Sequence, residues 1–207
     1  MTAEKRLMDI VLALFLAVVL SPLIVMIAIA IILLDGRPVF YLSERMKGPD
    51  TPFCLWKFRT MRNTGDDGGV SAGYKQNRIT PLGGWLRRQR LDELPQLINI
   101  LRGDMSFVGP RPPLRRYVEL CPDLYARVLQ NRPGVTGLAT LIYHRTEERL
   151  LRVCTTRDTT EATYVRRCIP VKARLDLIWA CNQSLWFDLR LIGRTVVRAF
   201  TQLKCQS

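Results

Sequence analysis

Two neighbouring carboxylates, Asp92 and Glu93, lie in the stretch RLDELPQL, just past Arg87, Arg88 and Arg90. An ionised carboxylate can attack phosphorus and form an acyl-phosphate. It does so only where cations or a metal neutralise the phosphate's own charge. The stretch supplies carboxylates and cations together, and a proline-stiffened loop, GPRPP, follows with Pro110 and Arg111. Histidine-based chemistry has no footing, because His144 is the chain's single histidine.

The same pair has a plainer reading. Pro95 is tolerated only in the first turn of a helix, which predicts a helix starting near Asp92 and running to Leu101. Acidic residues begin helices as caps and as partners of the helix dipole. A helix N-terminus also suits phosphate. Spacing alone leaves capping and chemistry both open.

Lys and Arg number 31 against 18 Asp and Glu, a net charge of +13. That excess asks for an anionic partner: nucleic acid, anionic lipid or a phosphorylated substrate. The six cysteines, Cys54, Cys121, Cys154, Cys168, Cys181 and Cys205, form no CxxC pair. They read as reduced structural thiols, with neither a zinc site nor a disulfide framework.

The elements that must position the acidic pair begin with an apolar segment. Ile10 to Leu34 carries no charge, and its one hydroxyl is Ser21. As one helix it would reach about 37 Å, enough to cross a hydrocarbon core. Pro22 interrupts it, and basic residues flank both ends: Lys5 and Arg6 before, Arg37, Arg45 and Lys47 after. Proline kinks a helix, and the positive-inside tendency keeps both ends on one side. A spanning helix and a re-entrant one are both compatible with these features. We divide the chain at the DGRP break into a membrane helix, residues 1–36, and a catalytic domain, residues 37–207.

After the break, VFYLSER and TPFCLWKFRTM predict a hairpin around MKGPD. Lys57 and Arg59 then share a strand face, where two cations could receive an anion. Residues 63–77 read as a glycine-rich loop in which Asp66 and Asp67 belong to a turn. Leu82 to Arg90 predicts a short helix. RGDMSFVGPRPP and RPGVTGL read as loop and tight turn. Leu114 to Leu129 has helical spacing that Pro122 could split. Residues 145–162 show little pattern. Leu185 to Lys204 predicts an amphipathic, interfacial helix with Arg190, Arg194 and Arg198 on one side and Leu189, Ile192, Val196, Phe200 and Leu203 on the other.

In order, KRLMDIVLALFLAVVLSPLIVMIAIAI, WKFRTM, RITPLGGWLRR, LDELPQLINILRGDMSFVGPRPP and RPGVTGL make the chain resemble the bacterial sugar transferases, the monotopic phosphoglycosyl transferases. The resemblance covers residues 4–138 and thins beyond. It implies a small, monotopic α+β protein, mostly helical. A re-entrant helix broken at Ser21-Pro22, a short hairpin and interfacial amphipathic helices would surround a catalytic domain facing the cytoplasm at the bacterial inner membrane. The implied reaction moves a sugar-1-phosphate from a UDP-sugar to polyprenyl (undecaprenyl) phosphate and releases UMP, as the first membrane step of glycoconjugate synthesis. Asp92 is similar to the family's nucleophile and Glu93 to its Mg2+ ligand. Arg87, Pro110 and Arg111 match substrate-phosphate positions, and Lys57 and Arg59 match the KFRTM motif, whose role is structural or phosphate-facing. Membrane lipids are implied partners and nucleic acid is not. The chain departs from the family pattern at RMKGPDTPF, at Arg90 and at Leu138-Ala139-Thr140, which leaves the sugar open. The alternative is a non-catalytic basic membrane-surface protein binding anionic lipid or nucleic acid, for which an acidic pair among arginines has no use.

Overall fold

The structure is a computed structural model that describes residues 2–62 and 78–204, with backbone alone from 199 onward. The loop carrying Asp66 and Asp67, the residue Cys205, and the side chains of Phe200 and Leu203 lie outside the described residues.

The apolar segment forms two helices. Helix α1 (Ala3–Val19) and helix α2 (Ser21–Leu34) meet at Leu20 with their axes bent by 60°. Pro22 sits in the first turn of α2, where a missing N–H costs nothing, and Ser21 Oγ donates to the Val18 carbonyl at 2.8 Å. Among the described residues no single helix is long and apolar enough to cross a membrane, whereas the bent pair together is. Each keeps one stripe against the protein. On α1 this stripe includes Lys5, Asp9, Leu12, Ala13 and Leu16; on α2 it includes Leu23, Ile24, Ile27 and Ile31. The opposite faces expose Phe15, Val18, Met26 and Leu33 at 61%, 73%, 60% and 77%.

Strands β1 (Phe40–Met46) and β2 (Pro52–Phe58) form the expected antiparallel hairpin, with Tyr41 opposite Lys57 and Arg45 opposite Phe53. Helix α3 (Pro81–Arg88) starts on a Thr80 cap that accepts from the Gly83 N–H. Then come a single 3₁₀ turn (Leu91–Glu93) and α4 (Gln96–Arg102).

The next segments depart from the sequence reading. Within RGDMSFVGPRPP lies strand β3 (Ser106–Val108), and within RPGVTGL lies β4 (Gly134–Thr136); the two pair in parallel. Their approach is so close that a Cβ on Gly134 would lie 2.2 Å from the Gly109 nitrogen. Only glycine permits this backbone contact. Between these strands run α5 (Arg115–Leu120) and α6 (Pro122–Val128), divided at Cys121 because Pro122 opens a new helix.

Residues 145–162, patternless in sequence, are helical on either side of a break at 153–156: they complete α7 (Leu138–Arg152) and make most of α8 (Arg157–Thr163). A π-helical turn (Tyr164–Cys168) leads into α9 (Ile169–Cys181), and α10 (Leu185–Lys204) has the expected bounds. Its apolar residues divide between the protein and the outside. Leu191 is buried and Ile192 packs beside it, but Leu189 and Val196 are exposed at 46% and 48%, next to Trp186 and Val197.

Three apolar clusters hold these elements. The largest joins Ala13 of α1 to Phe53, Leu55, Ile100, Phe107, Trp179 and Leu191. Packing therefore runs across the change in sequence character at residue 36. A buried ion pair reinforces this join: Lys5 Nζ meets Asp188, whose other oxygen accepts from Trp179 Nε1 at 2.9 Å. A second cluster gathers Met46, Tyr117, Tyr125 and Ile169. The third sets Ile27 and Ile31 of α2 against Phe58 and Leu86, with Leu91 and Leu94 packed alongside.

Candidate active site

The acidic pair is displayed by that last contact. Leu91 and Leu94 both enter the cluster with α2. In a 3₁₀ turn residues three apart lie on one side, so this geometry buries both leucines together. Arg90 precedes the turn in the left-handed region, at φ 58, and breaks the chain from α3. Pro95 is the residue before α4, so the pair sits one turn upstream of that helix instead of in its first turn. The capping argument drawn from Pro95 is corrected accordingly: what holds the pair is the i,i+3 leucine packing.

Glu93 is a hub. Its Oε1 accepts from Lys57 Nζ at 3.4 Å and from Arg111 at 3.0 Å, and its Oε2 accepts from Arg90 at 2.8 Å. Burial works against its charge, but Lys57, Arg111 and Arg90 hold the carboxyl well below the ordinary glutamate range. Asp92 is the opposite case. It is 8% exposed and makes no hydrogen bond or ion pair among the described residues. Burial pushes its pKa up; Lys57 pulls it down, Glu93 adds to the rise, and Arg87 and Arg111 also lower it. Asp92 is thus a carboxylate with unshared oxygens in a field of cations.

The cations come from separate elements. Lys57 is brought by β2, whose register against α4 is fixed by Asn99: Nδ2 donates to the Cys54 carbonyl at 2.8 Å and Oδ1 accepts from the Trp56 N–H at 3.0 Å. Arg87 ends α3. Arg111 follows Pro110, which is buried and whose carbonyl accepts from the Gly134 N–H at 2.8 Å. The short parallel sheet therefore aims Arg111, and Pro110 acts through its backbone.

Arg59 is elsewhere. Its guanidinium donates to the carbonyls of Asp35, Gly36 and Arg37 at 2.6–2.8 Å, tying the end of α2 to the end of β2. Of the two roles open to the pair, structural or phosphate-facing, Arg59 has structural contacts: β2 ends at Phe58 and the side chain turns to satisfy the α2 C-terminus, away from Lys57.

Sequence reasoning missed four contributors. Arg45 lies near Arg111 and Lys57, and the alternation of β1, with Ser43 buried and Glu44 exposed, could have revealed it. Glu147, Tyr164 and Lys172 form a polar cluster whose Glu147 and Tyr164 act on Arg111, with Lys172 Nζ 3.0 Å from both Glu147 oxygens. Nothing in their spacing signals it, since they come from α7, the π turn and α9.

A buried carboxylate, unpartnered among the described residues and facing cations from several elements, makes a candidate site for chemistry on anions, and it lies next to a bent apolar helix pair. The chain belongs to the bacterial sugar transferase family, whose family model matches residues 1–202. It is 34% identical over 200 residues to the UDP-glucose:undecaprenyl-phosphate glucose-1-phosphate transferase of Escherichia coli (strain K12), covering 95% of this chain and 40% of that protein. The protein of the same name from Caulobacter vibrioides is 36% identical over 203 residues, covering 96% and 70%. The UDP-N-acetylgalactosamine-undecaprenyl-phosphate N-acetylgalactosaminephosphotransferase of Aeromonas hydrophila is 32% identical over 198 residues, covering 93% and 42%. The chain thus spans about two fifths of the length of the Escherichia coli and Aeromonas relatives.

Proposed function

We propose that the chain transfers a sugar-1-phosphate from a UDP-sugar to polyprenyl phosphate and releases UMP, by way of a phosphosugar carried on Asp92. The observation that carries this is the state of Asp92: buried, unshared and ringed by cations. An Asp92 oxygen attacks the sugar-bearing phosphorus, and the bond from that phosphorus to the bridging oxygen breaks. UMP leaves with the electron pair. An oxygen of polyprenyl phosphate then attacks the same phosphorus, displaces Asp92 and yields the polyprenyl-diphosphosugar. Lys57, Arg87 and Arg111 offset the charge that gathers on the phosphoryl oxygens. Glu93 keeps Lys57, Arg90 and Arg111 gathered around the site.

Magnesium suits this donor set. The cation takes oxygen ligands, commonly one or two carboxylates plus substrate phosphates, and keeps several waters. Asp92 offers free oxygens, and Glu93 Oε2 accepts only one hydrogen bond, so these two residues would hold the ion. When bound, it would supply charge neutralisation at the diphosphate.

The seat is a bacterial inner membrane, with α1 and α2 entering and leaving the cytoplasmic leaflet at Ser21-Pro22. The exposed apolar faces of α1, α2 and α10 support this, as does the excess of positive charge facing anionic lipid. Relatives named for glucose and for N-acetylgalactosamine transfer leave the sugar to experiment.

The test is UMP release from a panel of UDP-sugars with polyprenyl phosphate in lipid discs. The wild type should release UMP with at least one donor, and Asp92→Asn should not. Near-normal release by Asp92→Asn would overturn the nucleophile. Labelled sugar-phosphate should be trapped on the wild-type protein when lipid acceptor is left out. Cysteines placed before α1 should label from the cytoplasmic side; periplasmic labelling would mean a spanning helix.

A further inference from the structure

The inner face of β1 carries a cation for which the described residues supply no counter-charge. Arg45 is partly buried, and its Nε is closed to solvent with no hydrogen-bond partner. Among the described residues no carboxylate pairs with it: Asp92 does not figure among the charges acting on Arg45, and the others around it are committed elsewhere. Glu93 takes Lys57, Arg90 and Arg111; Glu147 takes Lys172; Glu44 takes Arg115; Glu161 takes Arg116 at 3.1 Å. The foremost charge acting on Arg45 is that of Arg111, which repels it. Burial with that repulsion pushes the guanidinium down to about 10.

Three phenols, of Tyr41, Tyr117 and Tyr164, complete the surroundings of Arg45. The rings of Tyr117 and Tyr164 are 4.9 Å apart. Tyr164 is presented by the π-helical turn, a local distortion common where a helix serves a site. A buried cation without a counter-ion is costly, and it persists where a ligand supplies the missing charge. The planar guanidinium fork matches phosphate oxygens. Phenols add donors and a ring face.

We infer that Arg45 binds the donor's diphosphate on its nucleotide side, across Arg111 from Glu93, and holds the phosphate that leaves with the nucleoside. The assignment rests on the proposed transfer reaction for its meaning, though not for its test. Asp92 approaches the sugar-bearing phosphate from the acidic turn, and Arg111 links the two sides, contacting Glu93 and acting on Arg45. Arg45 then meets the other phosphate. Its charge grows as the bridging bond breaks, so Arg45 favours departure of the nucleotide as well as its binding.

The experiment measures UDP binding by calorimetry to the full-length protein in lipid discs, with UDP itself as the probe. Arg45→Gln should weaken UDP binding about tenfold or more, as expected for losing a charged hydrogen bond. It should raise KM for the UDP-sugar while leaving KM for polyprenyl phosphate unchanged. Arg45→Lys, which keeps the charge without the fork, should fall between the two. Unchanged UDP affinity in Arg45→Gln, or equal rises in both KM values, would overturn the assignment. If Arg45→Gln does not fold, Arg45→Lys decides: weaker UDP binding at an unchanged melting temperature supports the site, and wild-type UDP affinity refutes it. A wild type that binds UDP through Arg45 yet releases no UMP from any donor would sink the transfer reaction and leave this site standing.

Discussion

Lys57 Nζ lies 3.4 Å from Glu93 Oε1 and at the same time is the foremost influence holding down the proton affinity of Asp92. One ammonium thus serves both carboxylates. Burial lowers the pKa of Lys57 itself and Glu93 raises it. In the proposed mechanism Asp92 must be ionised to attack, so the acidic limb of the pH–rate profile should report its raised pKa. Removing Lys57 removes the main opposition to burial, and the limb must move up in pH. Lys57→Met should therefore shift the acidic limb of UMP release to higher pH and slow the reaction at neutral pH. A limb that stays in place would mean Asp92 does not set it.

Asn99 governs where Lys57 is. It is fully buried, and it closes two hydrogen bonds onto the backbone of β2. Asn99→Leu would strand a carbonyl and an N–H, each at about 1–3 kcal/mol. We expect a loss of about 2–4 kcal/mol in denaturant unfolding, with activity falling more steeply than stability because Lys57 shifts. A variant with native stability would show that water replaces the side chain there.

Gly134→Ala places a methyl 2.2 Å from the Gly109 nitrogen and 2.7 Å from the Thr136 oxygen. Overpacking of this kind costs about 1–3 kcal/mol. The β3–β4 contact must open, and with it the carbonyl bond that fixes Pro110 before Arg111. Weaker UDP binding together with a lower melting temperature is the expected result. Full UDP affinity would detach Arg111 from the sheet's control.

Asp176 on α9 accepts a backbone hydrogen bond from Ala139 at the start of α7, and burial pushes its pKa up to about 7 against the pull of Lys172. Its native pKa is above its unfolded value, so between the two the native state binds more protons. Stability therefore falls as pH rises from about 4 to about 7 and stays low above that, by up to about 4 kcal/mol. Asp176→Asn keeps the acceptor and removes the charge. It should melt higher than wild type at pH 8 and show a flatter pH dependence. A mutant that melts lower at pH 8 would mean the charged form is stabilised.

Legibility in the sequence followed period. The hairpin alternates strictly enough to be read, α10 repeats at helical spacing, and Pro122 marks its own break. Strands β3 and β4 were hidden because three-residue parallel strands carry no period, and the glycines that join them look like turn glycines. Helices α7 and α8 were hidden because their exposed charges and threonines mask a narrow buried stripe, Ala139 and Leu151 on one and Thr160 on the other. At the site, Asp92, Glu93 and Arg111 were readable as chemistry near a cation run. Which role Arg59 takes was not readable, because strand alternation stops one residue before it. Pro95 was given a role that belongs to Leu91 and Leu94, whose packing partner on α2 lies far away in sequence.

The shared cluster of Ile27, Ile31, Leu91 and Leu94 also bears on how this protein can be engineered. A truncation that removes the apolar helices to gain solubility would remove the floor beneath the acidic turn. Detergents that intrude between α2 and the body of the protein would act as inhibitors at a distance from any substrate pocket. A water-soluble version has a defined route: recolour the outward face at Val25, Met26, Ile29 and Leu33, and leave the inward stripe of α2 untouched.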